Sequence, residues 1–360
     1  MVKKGLLLIP GLTISMAVFA AGAKDVVDVY GLNKSDANKI LKKYSKEIAE
    51  IEPTLMQELI KPENIKEFSA TMKKILMRRY MLLQEITKKN GFLFVDFQTI
   101  TYPQDDTYYT TIEIVDKQHQ DRMRFVSAMP MKDSMEDKNV HKKPHQPDLI
   151  ETMRNYSNMS VKMVMRHELS YKVKCPVYHC VAGFDHPKLK PYLDIFNKGA
   201  INEKKLIIET LRHDKDSERR AAAAFLVGHF KDPHEIISVL EPSVKDKNEG
   251  VRNNVMRVIA ETMRNAKIND INVMPFLNAL DSPYTVDRNK ALFVLMSAAN
   301  SPTSKKVILQ KGGDKLLSLM ELKQPNNHES AYIILKRISG KDFGYNNVAA
   351  WKNWVQSQVA

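Results

Sequence analysis

Cysteine is nearly absent from this chain. Cys175 and Cys180 are the only two in 360 residues, which excludes a disulfide-dense mini-domain. Past residue 23, no stretch approaches the roughly 20 consecutive apolar residues that a membrane-crossing helix needs. The glycine-rich patterns that cradle phosphates, G-x-x-x-x-G-K-[ST] and G-x-G-x-x-G, are missing as well. So are H-E-x-x-H, G-x-S-x-G and an EF-hand loop, and with them the signatures of zinc proteases, serine hydrolases and calcium sensors. Wholesale disorder is excluded by what is present: 43% of the residues are hydrophobic, enough for ordinary cores, and the length suits two or three domains.

Positive charge is in excess, 55 Lys+Arg against 42 Asp+Glu, for a formal net charge of +13. The chain opens MVKKGLLLIPGLTISMAVFAAGA. Lys3 and Lys4 precede an uncharged apolar stretch from Gly5 to Ala20, and Ala21-Gly22-Ala23 supplies the small-x-small pattern read by signal peptidase. Cleavage after Ala23 is the expectation, with Ala20 a second site and an uncleaved anchor the alternative. Export directs the basic excess toward anionic envelope surfaces or acidic protein partners rather than nucleic acid. The simplest alternative is a solvated basic surface.

Three regions follow: 24–116, mixing strands and helices; 117–187, an irregular connection rich in His and Met; and 188–360, helical and repetitive. The last holds 27 Lys+Arg against 19 Asp+Glu, most of the excess. In the first region Val26–Tyr30 reads as a strand ended by Gly31, and Ser35 as the cap of a helix through Tyr44. Pro53 and Pro62 punctuate the chain before an amphipathic helix from about Ile65 to Lys89, closed by Asn90-Gly91. Two strands, Phe92–Ile100 and Thr107–Val115, form a hairpin across 103–106. Tyr108, Thr110, Ile112 and Ile114 share one face of the second, and Tyr109, Thr111, Glu113 and Val115 the other. This strand–helix–helix–strand–strand order, with Val-Tyr-Gly after the first strand and Asn-Gly-Phe before the second, resembles a POTRA domain. The resemblance implies capture of other polypeptides by strand addition at a sheet edge.

The third region repeats itself. Helices beginning at Arg220, Arg252, Arg288 and His328 align, with Ala223, Val255, Ala291 and Ala331 recurring at intervals of 32, 36 and 40 residues. Each follows a shorter apolar helix, two per unit, the signature of an α-solenoid. Asp214 with Arg220 and Asp246 with Arg252 are six apart, and Asp281 with Arg288 seven. This pattern resembles bacterial HEAT-like repeats, in which the aspartate caps the second helix and the arginine bridges to an aspartate along the stack. These six residues are therefore expected to be structural. Near the end, Trp351 and Trp354 place two indoles on one face of a last helix that covers the open end of the stack.

The expected fold class is a multidomain α+β chain: a small α+β domain followed by an all-α HEAT-like solenoid. Such arrays hold other macromolecules, and the basic and amide residues expected to be exposed on the second helices are Arg219, Asn253, Arg257, Lys290 and Arg337. Cys175 and Cys180, with four residues between them, are expected to form a disulfide in an exported chain. A zinc site using Cys175, Cys180, His186 and either His179 or His167 is an alternative whose spacing matches no standard finger; two buried thiols are another. His141 and His145 sit in a linker, expected to be solvent-exposed. The sequence thus predicts a non-catalytic, cofactor-free protein-binding scaffold or adaptor in the periplasm of a Gram-negative bacterium, part of an assembly or secretion machine. A secreted effector that binds a host protein is the alternative, and a metal-dependent protein centred on the Cys-His segment a second.

Overall fold

In the computed structural model of the chain, the described residues are 24–59, 61, 68–102, 107–126, 148–165, 168–169 and 175–359. The segment read as a signal peptide, the hairpin turn at 103–106, and His141, His145 and His167 lie outside them. The described residues are mostly helical, with one three-stranded sheet near the N-terminus. No helix among them is long and apolar enough to cross a membrane. The chain forms two compact units, each assembled from separate stretches. Among the described residues, one is built from 124–279 with 293–304, and the other from 24–123 with 280–292 and 305–359.

The second of these units holds the sheet. Strands β1 (Lys24–Tyr30), β2 (Phe94–Tyr102) and β3 (Thr107–Val115) lie in the order β1–β3–β2, with β1 parallel and β2 antiparallel to the central strand. Helices α1 (Lys34–Leu59) and α2 (Ala70–Asn90) connect β1 to β2. Asn33, not Ser35, caps α1: its Oδ1 accepts the Asp36 N–H at 3.0 Å. The helix also runs straight through Pro53 instead of ending near Tyr44. Its buried stripe of Ile40, Tyr44, Ile48, Ile51 and Leu55 continues past the proline, and that burial outweighs a cost of about 3 kcal/mol. Ser69 starts α2 at Ala70 by accepting the Met72 N–H at 3.1 Å, and the start expected near Ile65 lies outside the described residues. Gly91, at φ 66°, ends it in the left-handed conformation expected of Asn-Gly.

Both faces of the sheet are covered. One carries Val95, Phe97, Ile112 and Ile114, which pack with Ile40, Tyr44, Ile48, Ile51, Leu82, Leu83 and Ile86 of the two helices. The opposite face is polar. The strand register sets Glu113 beside Tyr30 and Asp96, and Thr111 beside Asp28 and Gln98. This face meets residues 280–292 and 322–324, which the sequence alone does not connect to it. Glu113 and Arg288 are both fully buried. Arg288 Nη1 donates to Glu113 Oε2 at 2.8 Å, Nη2 to Oε1 at 2.5 Å, and Thr285 Oγ1 to Oε1 at 2.6 Å. Around that pair, the Tyr30 hydroxyl donates to the Leu280 carbonyl at 2.9 Å, the Thr285 N–H to Gln98 Oε1 at 2.6 Å, and the Lys323 N–H to Asp28 at 2.6 Å. The Tyr30 ring lies between two guanidinium groups, Arg288 at 4.0 Å and Arg122 at 5.1 Å.

The remaining helices are α3 (Leu149–Met165), α4 (Lys190–Asn202), α5 (Lys204–His213), α6 (Ser217–Val227), α7 (Pro233–Leu240), α8 (Glu249–Ala266), α9 (Met274–Ala279), α10 (Thr285–Ala298), α11 (Pro302–Met320), α12 (Pro325–Ser339) and α13 (Val348–Val359). In the unit containing α3–α9, Tyr156, Phe184, Tyr192, Phe196 and His229 form an aromatic cluster with ring centroids 5.3–6.5 Å apart. In the sheet-bearing unit Trp351 is fully buried, and its Nε1 donates to the Gly344 carbonyl at 2.9 Å. A Cβ on Gly313 would stand 2.8 Å from Val355, so glycine lets α13 approach α11 closely.

Two stability measurements test this packing. Removing one member of the buried pair by Glu113→Leu should cost about 3–5 kcal/mol in urea denaturation, and adding Arg288→Met should restore much of it, because a lone buried charge is worse than none. Burial pushes His229 down to about 4, whereas an unfolded histidine titrates near 6.5. The unfolded chain therefore takes up the proton first as pH falls. Stability should drop by about 3 kcal/mol between roughly pH 6.5 and 4, and His229→Phe should remove that part of the acid sensitivity.

Candidate functional site

The sheet-bearing unit contains a cleft of about 960 Å³. Its floor is the C-terminal half of β1 with the turn into α1, from Asp28 to Lys34, and Arg122. The opposite wall comes from α11 through Lys315 and Ser318, the following turn through Leu322 and Lys323, and His328, Tyr345 and Val348. Gly31 is required at the floor. At φ 101° a Cβ there would lie 2.0 Å from the Ile114 carbonyl and 2.3 Å from Arg122 Nη1. Arg122 is buried, donating from Nη1 to Ile114 O and from Nε to Asp281 O, both at 2.8 Å. Burial pulls its pKa below the ordinary arginine value.

Both signs of charge line the cleft. Lys34, Lys315 and Lys323 stand with Asp28, Asp281, Asp314 and Glu321. Lys315 pairs with Asp281 at 2.9 Å. Asp28 has its pKa raised, because burial outweighs the Lys323 N–H and ammonium. The cleft imidazoles are engaged: His119 Nδ1 meets Asp116 at 2.8 Å, and His328 sits between two carbonyls, Leu322 O at 3.1 Å and Tyr345 O at 2.9 Å. β1 is an edge strand. Among the described residues, no backbone–backbone hydrogen bond from outside the sheet reaches it. A mixed-charge cleft beside an open strand edge is suited to recognition of an extended chain.

The expected aspartate–arginine ladder takes a more regular form than the spacing suggested. Arg220, Arg252 and Arg288 each donate from Nη1 to the carbonyl six residues earlier, at Asp214, Asp246 and Ser282, at 2.7–2.8 Å. The side chains of those three residues each accept the N–H two positions on, at Asp216, Asn248 and Tyr284. The helix caps are Asp216 and Asn248, not Asp214 and Asp246. Arg220 reaches forward to Asp246 with a two-pronged pair at 2.8 and 2.9 Å. In the third copy Asp281 is not the counterpart: it pairs with Lys315, Ser282 occupies the aspartate position, and Arg288 takes Glu113. His328 completes a fourth copy, its Nδ1 against the carbonyl six residues before it, at Leu322. A histidine escapes a search for arginine, so only the alignment of residue 328 with 220, 252 and 288 signalled this copy.

Four of the five residues expected to be exposed contacts are buried: Arg219, Asn253, Arg257 and Lys290. Arg219 is engaged inside its unit, donating to Asp214 at 2.9 Å and Asp148 at 2.7 Å. Arg337 alone is exposed. Cys175 and Cys180 form a disulfide with Cα atoms 5.7 Å apart, which removes both thiolates from the zinc set. Among the described residues, no group of three or more His, Cys, Asp or Glu is arranged to hold a metal ion. His179 is buried and stacks flat on Phe225 at 4.9 Å, with Glu261 4.0 Å from its Nε2. His186 Nδ1 accepts the Lys188 N–H at 3.2 Å, a local turn contact.

His328 stands between the Leu322 and Tyr345 carbonyls, one against each ring nitrogen. His328→Ala should therefore loosen the segment after α12, raising amide exchange about tenfold at Trp351–Val355 with little change in α2, as the loss of buried hydrogen bonds implies. No protein-family model, curated protein or solved structure matches this chain.

Proposed function

We propose that this protein is an exported, non-catalytic polypeptide-binding scaffold or adaptor, and that the cleft beside β1 is where an extended segment of its partner sits. The observation that carries the reading is the position of the cleft along β1, an edge strand that takes no backbone–backbone hydrogen bond from outside the sheet among the described residues. Adding a strand there satisfies the backbone groups of that edge, and the mixed charges of the cleft walls supply selectivity. The bracket repeated at Arg220, Arg252, Arg288 and His328 supports reading the helical region as a HEAT-like solenoid. The element order and the β1–β3–β2 sheet support the POTRA-like reading. The disulfide and the N-terminal charged-then-apolar pattern support export.

The test uses the full-length chain and peptides selected on it from a display library. With a photo-reactive phenylalanine placed at Lys34 or Lys323, which line the cleft, the selected peptide should cross-link at both. It should not cross-link at Lys205, exposed on α5 of the other unit. N-methylating alternate residues of the peptide on one edge should weaken binding at least about tenfold, because each lost backbone hydrogen bond leaves a partner unpaired. Peptides that cross-link only at Lys205, or that tolerate methylation on either edge, would sink the proposal.

A further inference from the structure

Two methionines stand out of the helical layer that covers the sheet. Met77 is 50% exposed and Met81 61%, the highest value for any large apolar side chain among the described residues. The buried residues of α2, Met72, Leu82, Leu83 and Ile86, lie on one side of the helix. The period of 3.6 residues places Lys74, Met77, Met81 and Lys88 together on the other side, and all four are exposed. A groove of about 400 Å³ runs past Met81, with Leu82 and Gln84 in its lining and Arg78, Lys88 and Lys89 around them.

The charge of this layer is of one sign where it is not already paired. α2 has six basic residues and one acidic. Its two arginines are engaged within the fold: Arg78 meets Glu47 and Glu50 at 3.2 and 3.0 Å, and Arg79 meets Glu52 and Asp96 at 2.7 and 2.9 Å. Lys89 pairs with Glu85 at 2.9 Å. Among the described residues, Lys74 and Lys88 enter no ion pair, and neither do Lys42 and Lys46, exposed on α1. The Tyr44 hydroxyl reaches Glu85 at 3.4 Å, which sets that lysine-bearing part of α1 beside the end of α2.

These residue types narrow what covers the face. Lysine is a point charge on a long stem, suited to a diffuse anionic surface, whereas arginine is the better match for one fixed carboxylate. Methionine is unbranched and adapts to irregular surroundings. Lysines around protruding apolar side chains on a helix lying flat allow the apolar tips to enter a headgroup layer while the ammonium groups stay at its phosphates. An acidic peptide would satisfy the lysines but leave Met77 and Met81 in water. We propose that the outer face of α2, with the adjoining lysines of α1, docks on an anionic lipid bilayer. The groove at Met81 shares no lining residue with the cleft beside β1, and the proposal does not depend on polypeptide binding there.

The test uses full-length protein and two kinds of vesicle, one of equal parts phosphatidylglycerol and phosphatidylcholine, the other of phosphatidylcholine alone. Gly5 to Ala20 is apolar and common to every variant and both vesicle types, so differences are read. Cosedimentation at low salt should be at least about tenfold stronger on the anionic vesicles and should weaken with added salt. Replacing Lys74→Gln and Lys88→Gln should each weaken anionic binding about fivefold. Met77→Ser with Met81→Ser should weaken it severalfold even in high salt, where the lysines are screened. Because these side chains are exposed, the urea midpoint should hardly move. The native cysteines are tied in a disulfide, so a bimane label at Gln84→Cys reports on this face alone. Its emission should shift to the blue on anionic vesicles, and that of a label at Lys205→Cys, on α5, should not. Equal binding to both vesicle types, or undiminished binding by the double lysine variant, would overturn the proposal. Binding of polyglutamate without any shift at Gln84→Cys on vesicles would also overturn it, assigning the face to an acidic polypeptide.

Discussion

Glu113 and Arg288 are separated by 175 positions in the chain and are both closed off from water. Two opposite charges in such a setting are favourable only when the geometry is close and their remaining hydrogen-bonding positions are filled. Thr285 fills one lone pair of Glu113, the Ser282 carbonyl takes a second bond from Arg288 Nη1, and the Tyr30 ring lies against the guanidinium. Because the pair holds residues 280–292 to the polar face of the sheet, it also fixes where Leu280 meets Tyr30 and where Gln98 meets Thr285. The cleft beside β1 is bounded by the same arrangement, since Arg122 reaches both Ile114 and Asp281. One face of the sheet packs on α1 and α2, and the charge pair sets which segment covers the polar one.

The helix-entry bracket shows how one physical solution tolerates different side chains. Each copy needs a donor that can reach back six residues to a carbonyl at the end of the preceding turn. Arginine does this three times and histidine once. In the three arginine copies the partner position carries a short side chain, aspartate or serine, whose oxygen accepts the N–H two residues on, whereas the histidine copy has Leu322 there. In two of these arginines the other half of the guanidinium also takes an anion. Arg220 finds the next aspartate, and Arg288, with serine in its own bracket, finds a glutamate on the sheet.

Much of the local structure was legible beforehand. The strand positions, the left-handed stop at Gly91, the disulfide and the aligned helix starts all rest on interactions within a few residues or on simple periodicity. Errors arose where distant burial overrode a local signal. Pro53 reads as a break because proline lacks an N–H, yet the buried stripe of α1 carries the helix across it. Asp281 reads as the third ladder aspartate by spacing, but Lys315 claims it. Arg219, Asn253, Arg257 and Lys290 read as surface contacts because polar residues usually are, and all four are buried. Of the residues around the candidate cleft, the sequence pattern marks Tyr30-Gly31 as a strand end, Asp281 as a ladder aspartate and His328 as a helix start, and nothing in it joins them into one site. The far wall comes from residues nearly 300 positions away.

The order of residues thus carries the set of elements: which stretches are strand or helix, where most of them stop, and which helices repeat. Those follow from capping, side-chain period and backbone freedom, all of which act over one or two turns of chain. Which charges are enclosed, and that the polar face of the sheet belongs against residues 280–292, emerge only in the folded chain. These outcomes depend on which surfaces lose water together. That cost is set by neighbours far apart in sequence, and no local pattern records it.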